Sequence, residues 1–513
     1  MLVHEFLRRS AERTPEAIAL IGHGEQATYG ELNRRASQAA HVLMESGVRR
    51  GDRVVVALDN CVELVAAYFG AMKAGAIAVP LAPGPQSDRF SKAVADCSPV
   101  ACVVDMKTAG GQAHALKAVP AVYVHAKERP QGDGANGGWL HWETTLNAAP
   151  DSEPATRLID LDLAAIIYTS GSTGSPRGAM LSHLNIRSNT DSIVEYLHLT
   201  AADRVMCVLP LYYVYALSLL HTHIRVGGSV VMDNRFAFPN TVLAAMQTHR
   251  VTGFAGVPST FALLLHRSNL PSLSFPSLRY ITQAGGGMAP ALIREWLAKG
   301  PKVPFYVMYG ATEASARLTY LEPCDLLRKI GSIGRGIPNV EVRILNDEGA
   351  VAAPGEVGEL VARGSNISVG YWNNPEETKS KFGPEGYRTG DLGCADDDGF
   401  LFLVGRKQDM IKVGARRVGA KEIEDALQEH PAVHEVAVIG RPDSILGEVP
   451  VAFVVLRHGA VGSTEALLAH CRSRLPRHKV PARVEFRSDL PKNSVGKIDK
   501  AALRGSPPVV EPF

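Results

Sequence analysis

Apolar and polar residues along the first half of the chain follow two periods, which predict helices and strands in turn. The segment TYGELNRRASQAAHVLMESGV has apolar residues at helical spacing and ends at Gly47, whereas DRVVVALDN is a short apolar run typical of a buried strand. CVELVAAYFGAMKAG predicts the next helix, and AIAVPLAP predicts the next strand. This order of strand, helix and strand predicts a mostly parallel sheet covered by helices.

The pattern changes further along the chain. Residues 107–157 are rich in Gly, Ala, His and Pro and have weak periodicity, which predicts a variable surface stretch. Alternation returns at LAAIIYTS and continues through GSVVM, VTGFAGVP, LRYITQAG and VPFYVMYG. From about residue 340, alternating residues with Gly turns predict a smaller antiparallel, barrel-like unit. A second domain is predicted to start near residue 409, because helical and strand patterns begin afresh there.

Size and composition narrow the class of protein. A chain of 513 residues is too long for one ordinary core, so at least two domains are expected. The net charge of +2 argues against a nucleic-acid-binding protein, and no apolar run is long enough for a transmembrane helix or signal peptide. The seven cysteines are scattered and form no CxxC pair, so neither a disulfide frame nor a zinc site is predicted. Together these features predict a cytoplasmic enzyme.

The strongest local signal is Tyr168-Thr-Ser-Gly-Ser-Thr-Gly-Ser-Pro-Arg-Gly178, which follows the apolar run LAAIIY and precedes a predicted helix. Glycines allow backbone N–H groups to turn toward an anion, and the hydroxyls and Arg177 add donors and charge. These properties favour a loop that binds phosphate, although the spacing differs from GxxxxGK[ST]. The alternative is a flexible Ser/Gly linker, but linkers seldom join a buried strand to a helix.

This loop resembles the signature of the adenylate-forming superfamily of AMP-binding enzymes. The superfamily contains acyl- and aryl-CoA synthetases, the adenylation domains of peptide synthetases, and beetle luciferases. Further motifs of the superfamily occur in the expected order and span nearly the whole chain: Tyr309-Gly-Ala-Thr-Glu313, Tyr387-Arg-Thr-Gly-Asp391, Gly405-Arg406, Lys421-Glu-Ile-Glu424 and Pro491-Lys-Asn-Ser-Val-Gly-Lys497.

The resemblance implies an α/β fold in two parts. Residues 1–407 would form a large AMP- and acyl-binding domain of two parallel-sheet α/β subdomains plus a small β-barrel. Residues 409–513 would form a small mobile α+β lid, with a hinge near Gln408, where many relatives have Asp or Lys. The implied activity is ATP-dependent conversion of a carboxylic acid to acyl-AMP, followed by transfer of the acyl group to a thiol.

The resemblance also assigns roles to residues. Thr312, Glu313 and Lys497 are the implied catalytic residues, and Glu313 would also bind Mg²⁺, which prefers oxygen ligands. Asp391 would accept hydrogen bonds from the ribose hydroxyls, and Tyr309 would stack on adenine. The residues implied to bind ATP or AMP are Thr169, Ser170, Gly171, Ser172, Thr173, Gly174, Arg177, Gly285, Gly286, Gly287, Tyr309, Gly310, Ala311, Asp391 and Arg406.

The implied acyl pocket comprises Tyr213, Val214, Val257, Gln283 and Ala311. Adenylation domains for α-amino acids carry an Asp just after the position of Tyr213, whereas no charged residue follows it here. A buried ammonium without a partner is costly, so we expect an acid without an α-amino group, either aryl or short-to-medium aliphatic.

The sequence leaves open which molecule is the thiol acceptor, because two candidate molecules present the same pantetheine arm. Gly414 and Ala415 would line the tunnel for pantetheine, which coenzyme A and the phosphopantetheine of an acyl or peptidyl carrier protein both present. The chain has no room for the insertion usual in ligases that load carrier proteins, which favours coenzyme A. A catalytically weak nucleotide-binding protein on the same fold is a further alternative, disfavoured by the intact motif residues.

Overall fold

The computed structural model describes residues 1–22, 24–128, 138–170, 176–414, 416–457, 459–492 and 498–505. The residues with predicted roles that lie outside these ranges are Gly171, Ser172, Thr173, Gly174, Ala415 and Lys497.

The elements follow one another in an alternation of strands and helices. The strands in chain order are β1 Ile18–Ile21, β2 Gln26–Thr28, β3 Arg53–Ala57, β4 Ile77–Pro80, β5 Ala101–Asp105, β6 Ala121–His125, β7 Leu140–His141, β8 Leu163–Ser170, β9 Pro176–Ser182, β10 Arg204–Cys207, β11 Ser229–Met232, β12 Gly253–Gly256, β13 Tyr280–Gln283, β14 Phe305–Tyr309, β15 Thr319–Leu321, β16 Ser332–Gly336, β17 Val340–Leu345, β18 Gly358–Gly364, β19 Phe382–Gly383, β20 Gly386–Ala395, β21 Leu401–Arg406, β22 Met410–Val413, β23 Arg416–Gly419, β24 Val433–Asp443, β25 Gly447–Leu456 and β26 Arg483–Phe486. The helices are α1 His4–Arg13, α2 Tyr29–Glu45, α3 Val62–Lys73, α4 Asp88–Cys97, α5 Met106–Gly111, α6 Ala113–Leu116, α7 Trp142–Ala148, α8 His183–Leu197, α9 Val214–Val226, α10 Pro239–Thr248, α11 Pro258–His266, α12 Pro290–Lys299, α13 Pro375–Lys381, α14 Ala420–Gln428, α15 Thr464–Arg472 and α16 Lys500–Gly505.

These strands form three sheets. The first has the order β7-β6-β5-β3-β4-β8-β9 and is parallel except for the β8–β9 pair. The second contains the parallel run β11-β10-β12-β13-β14 and continues through β15 and β16 into the antiparallel strands β21, β20, β18 and β17. The third contains β22–β26 and belongs to the C-terminal part of the chain. The predicted α/β class with parallel sheets and a C-terminal domain is confirmed.

Local signals explain where the first helices lie. The Thr28 hydroxyl accepts a hydrogen bond from the Glu31 backbone, and the Glu31 carboxylate accepts one from the Thr28 backbone, so a capping box starts α2. Both predicted helices, α2 and α3, and both predicted strands, β3 and β4, are confirmed. Their apolar faces meet residues of the second sheet in one core, which includes Tyr68 of α3 and Val205 of β10.

Two predictions from periodicity are wrong in detail. The stretch 107–157 is not all surface, because β6 is a largely buried strand and Trp142 of α7 is fully buried. The segment after the Ser/Gly loop is also not helical at once. It forms β9, which pairs back on β8, and α8 starts only at His183. Short apolar runs do not distinguish a strand from a helix, and tertiary pairing decided both cases.

Buried histidines are an unusual feature of the core. His4, His183, His221 and His223 are each at most 7% exposed. Burial lowers the pKa of His4 and His221 to about 3 and the pKa of His183 and His223 to about 4. His221 Nε2 lies 3.0 Å from the Tyr68 hydroxyl, and His223 Nε2 lies 3.1 Å from the Tyr280 hydroxyl. These rings are therefore neutral at pH 7.

This arrangement predicts acid sensitivity. Below about pH 6.5 the unfolded chain binds protons at these four histidines and the native chain does not, so the free energy of unfolding falls as pH drops toward 4. Four protons correspond to at most about 5 kcal/mol per pH unit. Urea unfolding between pH 7.5 and 5 measures the slope. The variant His221→Gln should reduce this slope by the contribution of about one proton. The control variant His198→Gln, at an exposed histidine, should leave the slope unchanged. Identical slopes in the three proteins would contradict the assignment.

Candidate active site

Parallel strands bring the predicted nucleotide residues to one edge of the second sheet. Val257 follows β12, Gly285 follows β13 and Gly310 follows β14, and these three strands are neighbours. The carboxyl ends of parallel strands meet at the same edge of a sheet, which is where ligands bind in open α/β folds. The structure therefore brings together the predicted residues of three separate sequence segments.

The glycine loop after β13 is open to solvent. Gly285 has φ +81°, a conformation that favours glycine, and Gly285, Gly286 and Gly287 are all exposed. Gln283 is fully buried beneath them, and its Nε2 donates to the Gly286 carbonyl at 2.8 Å. The side-chain oxygen of Gln283 has no described hydrogen-bond partner. Buried polar atoms are normally paired, so this oxygen is available to a ligand or a water.

A tight turn after β14 carries Thr312 and Glu313. A side chain at Gly310 would overlap the Ala316 carbonyl, so only glycine allows the chain to fold back here. The Glu313 Oε1 accepts a hydrogen bond of 2.6 Å from the Tyr371 hydroxyl, and the Glu313 carbonyl accepts one of 2.8 Å from the Ser368 backbone. Burial, followed by Glu313, raises the pKa of Tyr371, so the phenol keeps its proton and donates a hydrogen bond to Glu313.

Glu313 fits a magnesium site of the kind that phosphates complete. Mg²⁺ is commonly bound by one or two carboxylates together with substrate phosphates and water. Glu313 supplies one carboxylate with one oxygen fixed by Tyr371. In the described part of the chain no cluster of three metal-ligating side chains occurs, so a protein-only metal cage is not formed there.

A second cluster joins β14 to the antiparallel strands. The Tyr309 hydroxyl donates to Asp391 Oδ2 at 2.6 Å, and Arg406 Nε lies 3.1 Å from Asp391 Oδ1. Asp391 and Arg406 face each other across the β20–β21 pair. Burial, followed by Asp391, raises the pKa of Tyr309 well above its usual range. The structure thus places the predicted adenine and ribose residues in mutual contact.

The phosphate loop is described at its two ends. Thr169 and Arg177 are register partners in the β8–β9 hairpin, and Gly171, Ser172, Thr173 and Gly174 lie outside the described residues between them. Arg177 Nη1 forms an ion pair of 2.8 Å with Glu377 on α13. Part of the predicted positive charge is therefore balanced by a protein carboxylate, which sequence analysis did not anticipate.

The predicted acyl segment starts α9. Tyr213 is the residue before the helix, and the centre of its ring lies 4.5 Å from the centre of the Tyr212 ring. Val214 borders a cavity of about 10 Å³ together with Leu217, His221 and Ser315. This volume is about that of one water molecule, so the space beside Val214 is almost filled by protein.

The C-terminal domain reaches this site through α14. An added methyl at Gly287 would lie 2.9 Å from Cε of Lys421, so the Lys421 side chain packs on the glycine loop. Lys421 Nζ also pairs with Asp425 at 2.7 Å. The Gly414 backbone N–H donates to the Leu446 carbonyl at 2.7 Å, and Ala415 and Lys497 lie outside the described residues.

Comparison with known proteins places the chain in a family. The AMP-binding enzyme model matches residues 7–372, and the model for the AMP-binding enzyme C-terminal domain matches residues 422–497. The chain belongs to the AMP-binding enzyme family. The resemblance inferred from the motifs is therefore confirmed, as is the predicted class of AMP-forming acid–thiol ligase.

Individual relatives cover almost the whole chain. A long-chain-fatty-acid–CoA ligase of Bacillus subtilis (strain 168) is 31% identical over 98% of this chain and 94% of its own length. A feruloyl-CoA synthase of an Amycolatopsis species is 34% identical over 97% of both chains. The crystal structure of ATP-bound MatB from Rhodopseudomonas palustris superposes with a TM-score of 0.88, at 30% identity and 98% coverage of both chains. None of the described helices is long and apolar enough to cross a membrane.

Sequence analysis did not predict the residues that contact the Glu313 carboxylate and the Arg177 guanidinium. Tyr371 and Glu377 follow the Thr312–Glu313 turn by about sixty residues and contact Glu313 and Arg177 respectively. No local motif marks them. Such pairs become visible only when the strands and loops that carry them are adjacent.

We predict that Tyr371 positions Glu313 for the metal. The variant Tyr371→Phe should raise the Mg²⁺ concentration needed for half-maximal pyrophosphate exchange by about 10-fold to 100-fold, because groups that orient a metal ligand contribute at this level. Tyr320→Phe is the matched control, since it removes a hydroxyl that donates to Glu322 at 3.1 Å. An unchanged Mg²⁺ dependence in Tyr371→Phe, or an equal loss in both variants, would contradict this role.

Proposed function

We propose that this chain activates a carboxylic acid without an α-amino group as its acyl-adenylate and transfers the acyl group to coenzyme A. The observation that carries the proposal is the convergence of the Tyr309–Asp391–Arg406 cluster and the Thr312–Glu313 turn at one sheet edge. A ribose site and a site for magnesium and phosphate lie on adjoining segments, as adenylation of a carboxylate requires.

In the first half-reaction the substrate carboxylate attacks the α-phosphorus of ATP and pyrophosphate leaves. The Asp391 carboxylate accepts hydrogen bonds from the ribose hydroxyls, and its contacts with Arg406 and Tyr309 keep it in place. Thr312 donates to the α-phosphate. Glu313 would hold Mg²⁺, which would supply positive charge to neutralise the phosphates. Lys497 contacts the carboxylate and the α-phosphate as the new bond forms, where a compact ammonium stabilises developing charge.

The second half-reaction requires the C-terminal domain to rotate about Gln408. The two residues beside Gln408 pair with opposite sides of this hinge. Lys407 Nζ lies 3.3 Å from Glu359 on β18, whereas Asp409 lies 2.6 Å from Arg504 on α16. A single residue between two anchored neighbours is a suitable position for the required change in backbone angles.

Coenzyme A is the acceptor that we favour over a carrier protein. The Bacillus subtilis and Amycolatopsis relatives, which span nearly this whole chain, are named as a CoA ligase and a CoA synthase. Single-turnover transfer from preformed acyl-adenylate to coenzyme A and, separately, to a phosphopantetheinylated carrier protein distinguishes the two acceptors. Faster transfer to the carrier protein would favour the alternative of a stand-alone loading ligase. Absence of acid-dependent pyrophosphate exchange would favour a nucleotide-binding protein without catalytic activity.

The role of Lys497 gives a test of the two-step mechanism. The variant Lys497→Ala should lower pyrophosphate exchange by about 10²-fold to 10³-fold, because it removes a charge contact made in the transition state. Transfer from supplied acyl-adenylate to coenzyme A should be nearly unchanged. Lys500→Ala is a control on the same C-terminal segment, since Lys500 pairs with Glu424. Equal loss of both half-reactions in Lys497→Ala would refute the assignment.

The acyl segment gives a test of substrate charge. No carboxylate follows Tyr213, so 3-phenylpropanoate should support faster pyrophosphate exchange than phenylalanine, because the buried ammonium would lack a partner. Asp59 is the described carboxylate that acts on neighbouring Tyr212, where it adds to burial and Tyr213 in raising the pKa of that phenol. A preference for phenylalanine would contradict the proposal, and its loss in Asp59→Asn would identify the partner.

A further inference from the structure

Arg317 is a buried cation beside the acyl segment. Arg317 is 2% exposed, and its guanidinium carbon lies 4.3 Å from the centre of the Tyr215 ring. Nε donates to the Met308 sulfur at 3.3 Å, and Nη1 donates to the Ala316 carbonyl at 3.2 Å. No carboxylate of the described residues lies within ion-pair distance of Arg317, and the structure gives its Nη2 no hydrogen bond there.

These contacts are weak compensation for a buried charge. A thioether is a poor acceptor, and one carbonyl satisfies one of five N–H groups of a guanidinium that keeps its charge in proteins. The Tyr196 hydroxyl is within hydrogen-bonding reach of Arg317 and donates to the Met308 sulfur at 3.1 Å. Tyr215 donates to the Thr282 carbonyl at 3.1 Å, so these neighbours are neutral and supply no anion. Buried charges are normally paired.

Lys73 is the other buried Lys or Arg among the described residues, and it follows that rule. Lys73 is fully buried, and its Nζ lies 2.5 Å from Glu153 with further hydrogen bonds to Asn33 and Ser37. The contrast indicates that Arg317 is held without an anionic partner from the described residues.

The position of Arg317 connects it to the acid site. Tyr215 follows Tyr213 and Val214 on α9, Thr282 precedes Gln283, and Met308 precedes Tyr309. The turn from Glu313 reaches Arg317 through Ser315 at φ +53° and Ala316 at φ +110°. Residues other than glycine rarely adopt such angles, and strained backbone of this kind concentrates at ligand sites.

We propose that Arg317 binds a second oxyanion of the acid substrate, at the end remote from the carboxylate that reacts with ATP. This inference rests on the proposed acid activation and specifies its substrate class, namely acids with a distal carboxylate or phenolate oxygen. A guanidinium presents paired donors that match a carboxylate, and in a water-excluded site such a pair discriminates strongly against an apolar end. Arg317 is thus a specificity-determining residue and takes no part in the transfer of the adenylate.

Pyrophosphate exchange by the full chain with matched acids tests the proposal. Each α,ω-dicarboxylate from succinate to sebacate is compared with the monocarboxylate of equal carbon number. Terephthalate and 4-hydroxycinnamate, compared with 4-methylbenzoate and cinnamate, separate a distal carboxylate from a distal phenol. We expect at least one diacid or phenol to exceed its apolar match at least 10-fold in kcat/KM. Equal or lower values across all pairs in the wild-type chain would overturn the proposal, and this comparison needs no variant.

Substitution then assigns the preference to Arg317. The variant Arg317→Met should abolish the preference for the distal oxyanion by raising KM for that acid, with little change for its apolar match and for ATP. Arg317→Lys retains the charge and should restore part of the preference. Equal losses for both acids in Arg317→Met, with an unchanged ratio, would show a structural role only and overturn the proposal.

The failure of this inference differs from the failure of the proposed function. Exchange with monocarboxylates and no preference within any pair overturns the role of Arg317 alone. Exchange with no acid of either kind overturns the proposed acid activation and, with it, this inference.

Discussion

The turn between β14 and β15 is the constraint on which the site depends. Gly310 lacks a side chain, so the chain folds back until the Ala316 carbonyl occupies the space where a Cβ would lie. Tyr309, Glu313 and Arg317 all lie within or beside this short segment. A side chain at position 310 would displace the fold-back and so change the spacing between the Tyr309–Asp391–Arg406 cluster and Glu313. Under the proposed function both groups bind one ATP molecule, Asp391 at the ribose and Glu313 at the magnesium-bound phosphates, and backbone packing sets their spacing before any ligand binds.

Two hydrogen bonds then tie this turn to segments that are distant in the sequence. Tyr309 binds Asp391 on β20, and Tyr371 binds Glu313 from the segment before α13. Both phenols are protonated donors to carboxylates, because burial and the adjacent negative charge raise their pKa. A carboxylate that accepts one such bond keeps its orientation and retains lone pairs for a ribose hydroxyl or a metal. Tyr309 and Asp391 belong to the second sheet, whereas Tyr371 bridges to Ala179 on β9 of the first sheet, so both sheets support the two carboxylates.

The sequence predicted the α/β class, the early helices and strands, and the family, and all three are confirmed. These succeed because their signals are local, such as an apolar run that ends in glycine or a Thr–Glu pair in a fixed frame. The site roles of Tyr371, Glu377 and Arg317 depend on residues far away in the chain and have no local signal. The error at β9 has the same origin, since a segment that could form a helix pairs instead with β8. The hinge at Gln408 and the roles assigned to the motif residues, including Ala415 and Lys497, stay predictions.

Nucleotide chemistry and acid choice are carried by different kinds of residue in this fold. Two relatives have similar sequence identity to this chain, and each matches nearly its whole length. The name of one relative specifies long-chain fatty acids, and that of the other specifies a feruloyl group. Similarity over the whole length therefore follows the shared machinery at the sheet edge, whereas the acid is selected by a few side chains in contact with it. In this chain the interior near α9 holds neutral histidines and one permanent charge without a described carboxylate partner, at Arg317. In neutral surroundings of low dielectric, the charge of Arg317 would strongly favour the binding of an acid with a distal oxyanion over that of an apolar acid.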